Sequence, residues 1–92
     1  MDKKIVGKIQ AVLKRHNVKK AALFGSFARG EEREKSDVDI LIEPPDKFTL
    51  FDMAGMKTEI EASIRRQVDL VTFRSISPLL KPYITKDVKM IT

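Results

Sequence analysis

The chain of 92 residues has no cysteine and no tryptophan, one histidine (His16) and one tyrosine (Tyr83). Without cysteine, neither a disulfide framework nor a thiolate zinc site can be built, which fits a reducing cytoplasm. A single histidine removes the common histidine-built metal centres. No apolar run approaches the roughly 20 residues that cross a bilayer, and the N-terminus carries no signal-peptide h-region, so a soluble intracellular domain with no membrane contact is expected. A chain this short forms one domain, here residues 1–92, that buries about 60–70% of its unfolded surface. One core and one site fit in it, but a separate substrate domain does not.

Charge is plentiful and uneven. The net charge is +5, yet residues 1–20 carry seven basic side chains against Asp2 alone, and the other 72 residues sum to −1. A basic N-terminal helix attracts RNA, nucleotide phosphates or an acidic protein. It is equally the solvated face of an amphipathic helix, the commoner role of such a charge run. No aromatic residue interleaves with these lysines, so the stacking surface typical of single-strand binders is not visible in the sequence.

Ile5, Ile9, Val12 and Leu13 recur at helical spacing and predict a helix over residues 2–16, ended by His16-Asn17. Asp2 suits its first turn and His16 its last. Val6 and Leu13 suit a helix–helix contact as well as the core. Ala21 to Phe24 read as a short apolar strand stopping at Gly25, with a turn of helix over Ser26 to Arg29 that Gly30 breaks. Asp37 to Glu43 read as a second strand, closed by Pro44-Pro45. Thr49 and Asp52 form a capping-box pattern opening a helix to about Arg66, with Met53, Met56, Ile60 and Ile64 facing the core. Val68 to Phe73 read as a third strand. Ser77-Pro78 begin a short helix limited by Pro82, and Val88 to Ile91 form a last, edge-like strand. The alternation predicts an α/β domain, a mixed sheet flanked by helices.

Asp37 and Asp39 share one face of their strand, opposite Val38, Ile40 and Ile42. Strands are depleted in aspartate, and two carboxylates this close repel each other unless a cation lies between them. At an exposed strand start the pair would mean little, but the apolar flanks argue for a buried strand and hence for a function. Asp69 lies in another apolar strand. If the two strands are neighbours, three carboxylates converge at one edge of the sheet. Such a set holds Mg²⁺, and two ions about 3.5–4 Å apart suit an in-line displacement at phosphorus. Asp69 is then best placed to take the proton of an incoming hydroxyl. Gly25 permits close approach of a phosphate to the backbone, and Ser26 offers a hydroxyl for the same anion or for capping the helix behind it. Neither a Walker A loop nor a dinucleotide fingerprint is present.

The apolar strand, Gly25-Ser26, a ten-residue spacer and Asp37-Val38-Asp39 resemble the nucleotidyltransferase superfamily typified by DNA polymerase beta. Gly25-Ser26-Phe27-Ala28-Arg29-Gly30-Glu31, Ser36-Asp37-Val38-Asp39-Ile40-Leu41-Ile42 and Gln67-Val68-Asp69-Leu70-Val71 are similar to its minimal nucleotidyltransferases, as are the helix start Phe48-Thr49-Leu50-Phe51-Asp52 and Ile76-Ser77-Pro78. The resemblance covers nearly the whole chain and implies the polymerase-beta-like core. It also implies that Asp37, Asp39 and Asp69 bind Mg²⁺ and that Gly25 and Ser26 hold the triphosphate of ATP. Arg29 belongs to the motif, where it steadies phosphate charge or pairs with a nearby acid. Such proteins stand beside a small helical ribonuclease toxin of the HEPN type. The resemblance implies transfer of AMP from ATP to a tyrosine of that toxin, which silences it. The bare size of the chain agrees, since an acceptor that is itself a folded protein supplies binding surface that this domain lacks. Two other readings remain: a non-catalytic antitoxin that neutralises its partner by covering it, and a nucleotidyltransferase acting on an RNA end or a small hydroxyl compound such as an aminoglycoside.

Overall fold

The computed structural model describes residues 3–25, 37–75 and 88–92. Its elements are α1 (Lys3–Arg15), β1 (Lys20–Phe24), β2 (Val38–Glu43), α2 (Leu50–Ile64), β3 (Val68–Thr72) with a short 3₁₀ turn (Phe73–Ser75), and β4 (Lys89–Met90). Asp2, the helical turn expected from Ser26 to Arg29, and the helix expected at Ser77-Pro78, with Pro82 and Tyr83, lie outside the described residues.

The sheet order is β3-β2-β1-β4. Strand β2 runs antiparallel to β1 and parallel to β3, while β4 pairs antiparallel with the other edge of β1. The sheet is therefore mixed, as expected. The parallel pair is joined through α2, the crossover such a pair requires.

The main core cluster lies on one face of the sheet, while Ala22 and Leu41 are fully buried on the other. Ala21 and Leu23 of β1, Val38, Ile40 and Ile42 of β2, and Val68 of β3 form that cluster together with Ile9, Val12 and Leu13 of α1 and Met56, Ile60 and Ile64 of α2. Leu13 is fully buried there, whereas Val6 and Met53 only lean against it. Ile91, just past β4, also turns into this core.

The helices end as their residues dictate. Asn17 takes the left-handed conformation (φ 61°), letting Val18 N–H donate to the Leu13 carbonyl at 3.0 Å, a C-terminal closure that asparagine tolerates. Thr49 caps α2: its hydroxyl accepts from Asp52 N–H at 3.2 Å, and the Asp52 carboxylate accepts from Thr49 N–H at 2.8 Å. The same exchange lowers the Asp52 carboxyl below its ordinary value. Glu59 of α2 ties the two helices together by accepting from Arg15 and by bonding His16 Nε2 at 2.8 Å. The His16 bond, followed by that of Arg15, holds the Glu59 carboxyl low. His16 thus completes a helix end, as its position in the sequence suggests.

Candidate active site

The second face of the sheet carries the chemistry. Because side chains alternate, the residues of β2 that do not face the helices are Asp39, Leu41 and Glu43. In the parallel register Asp39 stands beside Asp69, and in the antiparallel register it stands beside Phe24. The condition set by the sequence, that the two acidic strands be neighbours, is met. Two bonds fix this register at the strand starts. Val38 N–H donates to the Gln67 carbonyl at 2.9 Å, and Val68 N–H donates to Glu61 Oε2 at 2.9 Å. Glu61 is a positioning residue that sequence reasoning missed. It lies in the last turn of α2 with no motif to mark it, and only the packing of α2 over β3 brings its carboxylate to that N–H.

Asp39 is half-buried, while Asp37 and Asp69 are exposed. The Asp39 carboxyl is held above its ordinary value, first by burial, then by the charges of Asp69 and Asp37, and finally by a hydrogen bond with Asp69. Asp39 and Asp69 are thus close neighbours across the parallel pair, and Asp37 acts on Asp39 through its charge. Among the described residues no three carboxylates or imidazoles form a ready-made metal cluster. A cation would be welcome here nonetheless. The donors are hard oxygens, and the unscreened charge that raises the Asp39 value is what a divalent ion offsets.

Gly25 ends β1 at φ 72°. A Cβ built on it would lie 2.5 Å from Asp39 Oδ2, closer than any real side chain stands. Glycine is thus required twice over, by its backbone conformation and by the carboxylate lying against it. From the sequence, only its openness to a phosphate was foreseen. Of the expected site residues, Asp39 adjoins both Gly25 and Asp69, and Asp37 stands near enough for its charge to act on Asp39. Ser26 and Arg29 lie outside the described residues.

The polymerase beta nucleotidyltransferase family model matches residues 7–92. The chain belongs to that family. A Methanocaldococcus jannaschii protein with the provisional name of protein adenylyltransferase is 44% identical over 80 residues, covering 87% of this chain and 86% of its own. The protein adenylyltransferase MntA of Thermococcus cleftensis is 32% identical over 74 residues, covering 80% of this chain and 75% of its own. Among solved structures, a toxin–antitoxin with AMP-PNP superposes with a TM-score of 0.81 at 25% identity, covering 95% of this chain and 72% of that one. A provisionally assigned minimal nucleotidyltransferase superposes at 0.79 with 32% identity, covering 91% and 86%. This minimal nucleotidyltransferase is accordingly an enzyme of the nucleotidyl-transfer class, built as a small α/β domain with a mixed sheet. No described helix is long and apolar enough to cross a membrane.

Proposed function

We propose that this minimal nucleotidyltransferase transfers AMP from ATP to a tyrosine hydroxyl of a small helical HEPN-type toxin and thereby acts as its antitoxin. The observation that carries the reading is the side-by-side register of Asp39 and Asp69 against Gly25. It sets two carboxylates side by side against the glycine that follows β1, the place where a cation and a triphosphate would meet. Two relatives named protein adenylyltransferases, one of them provisionally, support a protein as acceptor. A toxin–antitoxin solved with an ATP analogue supports the donor and the partner.

Asp39 and Asp69, with Asp37, are the residues that would hold Mg²⁺. The ion supplies neutralisation of the triphosphate charge and a lowered barrier to deprotonating the acceptor. Gly25 and Ser26 hold the phosphates. The acceptor oxygen attacks the α-phosphorus of ATP, forming one O–P bond while the bond to pyrophosphate breaks. The hydroxyl proton passes to Asp69, and pyrophosphate leaves with the electron pair of the broken bond. Asp69 is the more exposed of the pair and so the more accessible to an incoming hydroxyl. Residence is in the cytoplasm, where ATP and such a partner are found.

The test uses the domain, Mg²⁺, α-labelled ATP and the HEPN-type protein encoded beside it. Label is expected on the partner and is expected to fall by about 100-fold or more with Asp39→Asn, since metal and charge stabilisation of a phosphoryl transition state is worth several kcal/mol. A stable complex that the variant also forms, with no label from either protein, would instead show a domain that silences its partner by covering it.

A further inference from the structure

The end of the sheet remote from the aspartates holds a second feature, outside the residues assigned above to nucleotidyl transfer. Glu43, four residues along β2 from Asp39 and so about 13 Å away at strand rise, pairs in register with Lys20. Around them lies a groove of about 780 Å³ whose lining includes Lys19, Lys20, Lys47 and Arg74 against Glu43 and Asp46. None of the four cations is in an ion pair with a described acid. Phe48 and Phe73 line the same groove, both half-buried, and Lys20 Nζ stands 4.9 Å from the centre of the Phe73 ring. A smaller hollow of about 410 Å³ shares Asn17 and Lys19 with it and adds Lys14. Between them the two adjoining hollows are lined by five cations and two acids.

The fold therefore supplies what the linear sequence lacks, because it brings aromatic rings from the α2 entry and the β3 exit between the lysines of the α1–β1 corner. A cationic channel tracking a backbone, with rings along it, is the arrangement that receives a single nucleic-acid strand. An acidic peptide would use the cations but leave the rings without a planar partner. We propose that this groove binds single-stranded RNA, at a site separate from the carboxylates. The strand's phosphates contact Lys19, Lys47 and Arg74, and a base stacks on Phe73 in place of the Lys20 ammonium. The proposal is independent of the acceptor used in nucleotidyl transfer.

Binding is measured on the whole chain, without ATP or Mg²⁺, as the fluorescence anisotropy of a labelled mixed-sequence RNA of about 12 nucleotides, within the span such grooves cover. Three or four phosphate contacts give a slope of log K against log salt concentration of about −2 to −3. The double reversal Lys19→Glu/Lys47→Glu is expected to weaken binding at least 10-fold, taking ~10-fold as the smallest effect that separates lost contacts from noise. Phe73→Leu is expected to weaken it about 5-fold through lost stacking. The reversal Lys3→Glu/Lys8→Glu, equal in charge but on α1 outside the groove, is expected to change it little. Lys19→Arg/Lys47→Arg is expected to bind as the parent does, and circular dichroism melts verify that each variant is folded. An equal loss in both reversals would reduce the effect to net charge and overturn the proposal. So would no binding at low salt, or competition by poly-glutamate as effective as by unlabelled RNA, which would mark a site for acidic protein.

Discussion

At the scale of single residues, the site depends on how close Asp39 comes to two neighbours. Its carboxylate lies against the Gly25 backbone and beside Asp69. Gly25→Ala forces a Cβ onto Asp39 Oδ2 and a left-handed conformation onto alanine, worth about 1–2 kcal/mol of strain by itself. We expect it to lower nucleotidyl transfer by about 10-fold or more while the chain still folds, because a 1 Å misplacement of a catalytic group can cost 100-fold. Steady-state rates with a circular dichroism melt as control check this. Asp39 also makes a linkage prediction. An acid whose folded value is raised destabilises the fold once ionised, that is, at neutral pH, and the cost fades as pH falls and it protonates. Asp39→Asn is therefore expected to raise Tm at pH ~7 without Mg²⁺. Added Mg²⁺ is expected to raise Tm in the parent but not in the variant. The sequence shows both carboxylates and the glycine, because a strand tolerates aspartate poorly and the alternation fixes its face. It cannot show that Gly25 and Asp39 touch, since that contact depends on strand pairing between residues fourteen positions apart.

At the scale of elements, boundaries were legible wherever local chemistry sets them. Thr49 and Asp52 announce the start of α2, and the two reciprocal bonds are in place. The last turn was not legible: α2 ends at Ile64 with Arg65 left-handed, where the expectation ran to Arg66, and no glycine marks the stop. Thr49→Ala should cost about 1 kcal/mol, read as a lowered Tm. Leu50 and Phe51, the next two residues, are exposed, and nothing in the described fold explains that. The α1–α2 contact gives a pH prediction. Asp52 and Glu59 both sit below the usual carboxylate range. They therefore contribute stability at neutral pH, and it is lost as pH falls through that range. Replacing Glu59 by Gln should lower Tm at neutral pH and flatten its decline on acidification between pH ~5 and ~3. An unchanged acid limb would mean that the Arg15 and His16 contacts contribute nothing to folding.

At the scale of the whole molecule, the sheet sets the helix-packed core on the face of Ile40 and the aspartates on the other, where Ala22 and Leu41 are also buried. The hydrophobic period of α1, β2 and α2 made the first face legible, since an apolar stripe must find another to bury against. The strand order was not legible, because nothing local to β3 or β4 says which edge it takes, and the choice of β3 for the β2 edge is what brings Asp69 to Asp39. This division makes the stability supplied by the helix-side core separable from activity. Met56 is fully buried on α2, within the helix-side core and away from the aspartate face. Met56→Ala should cost about 2–5 kcal/mol of stability. For a domain this small that lowers Tm by about 10 °C or more. Well below its Tm, the same variant should transfer nucleotide at the parental rate per folded molecule. Asp39→Asn should do the reverse, keeping or raising Tm while losing the reaction. Because the two side chains lie on opposite faces with no shared partner, the double variant should show the sum of both effects, within about 0.5 kcal/mol in stability. A larger deviation would mean that the β2 backbone passes strain from the core to the carboxylates, and that the two faces are one mechanical unit.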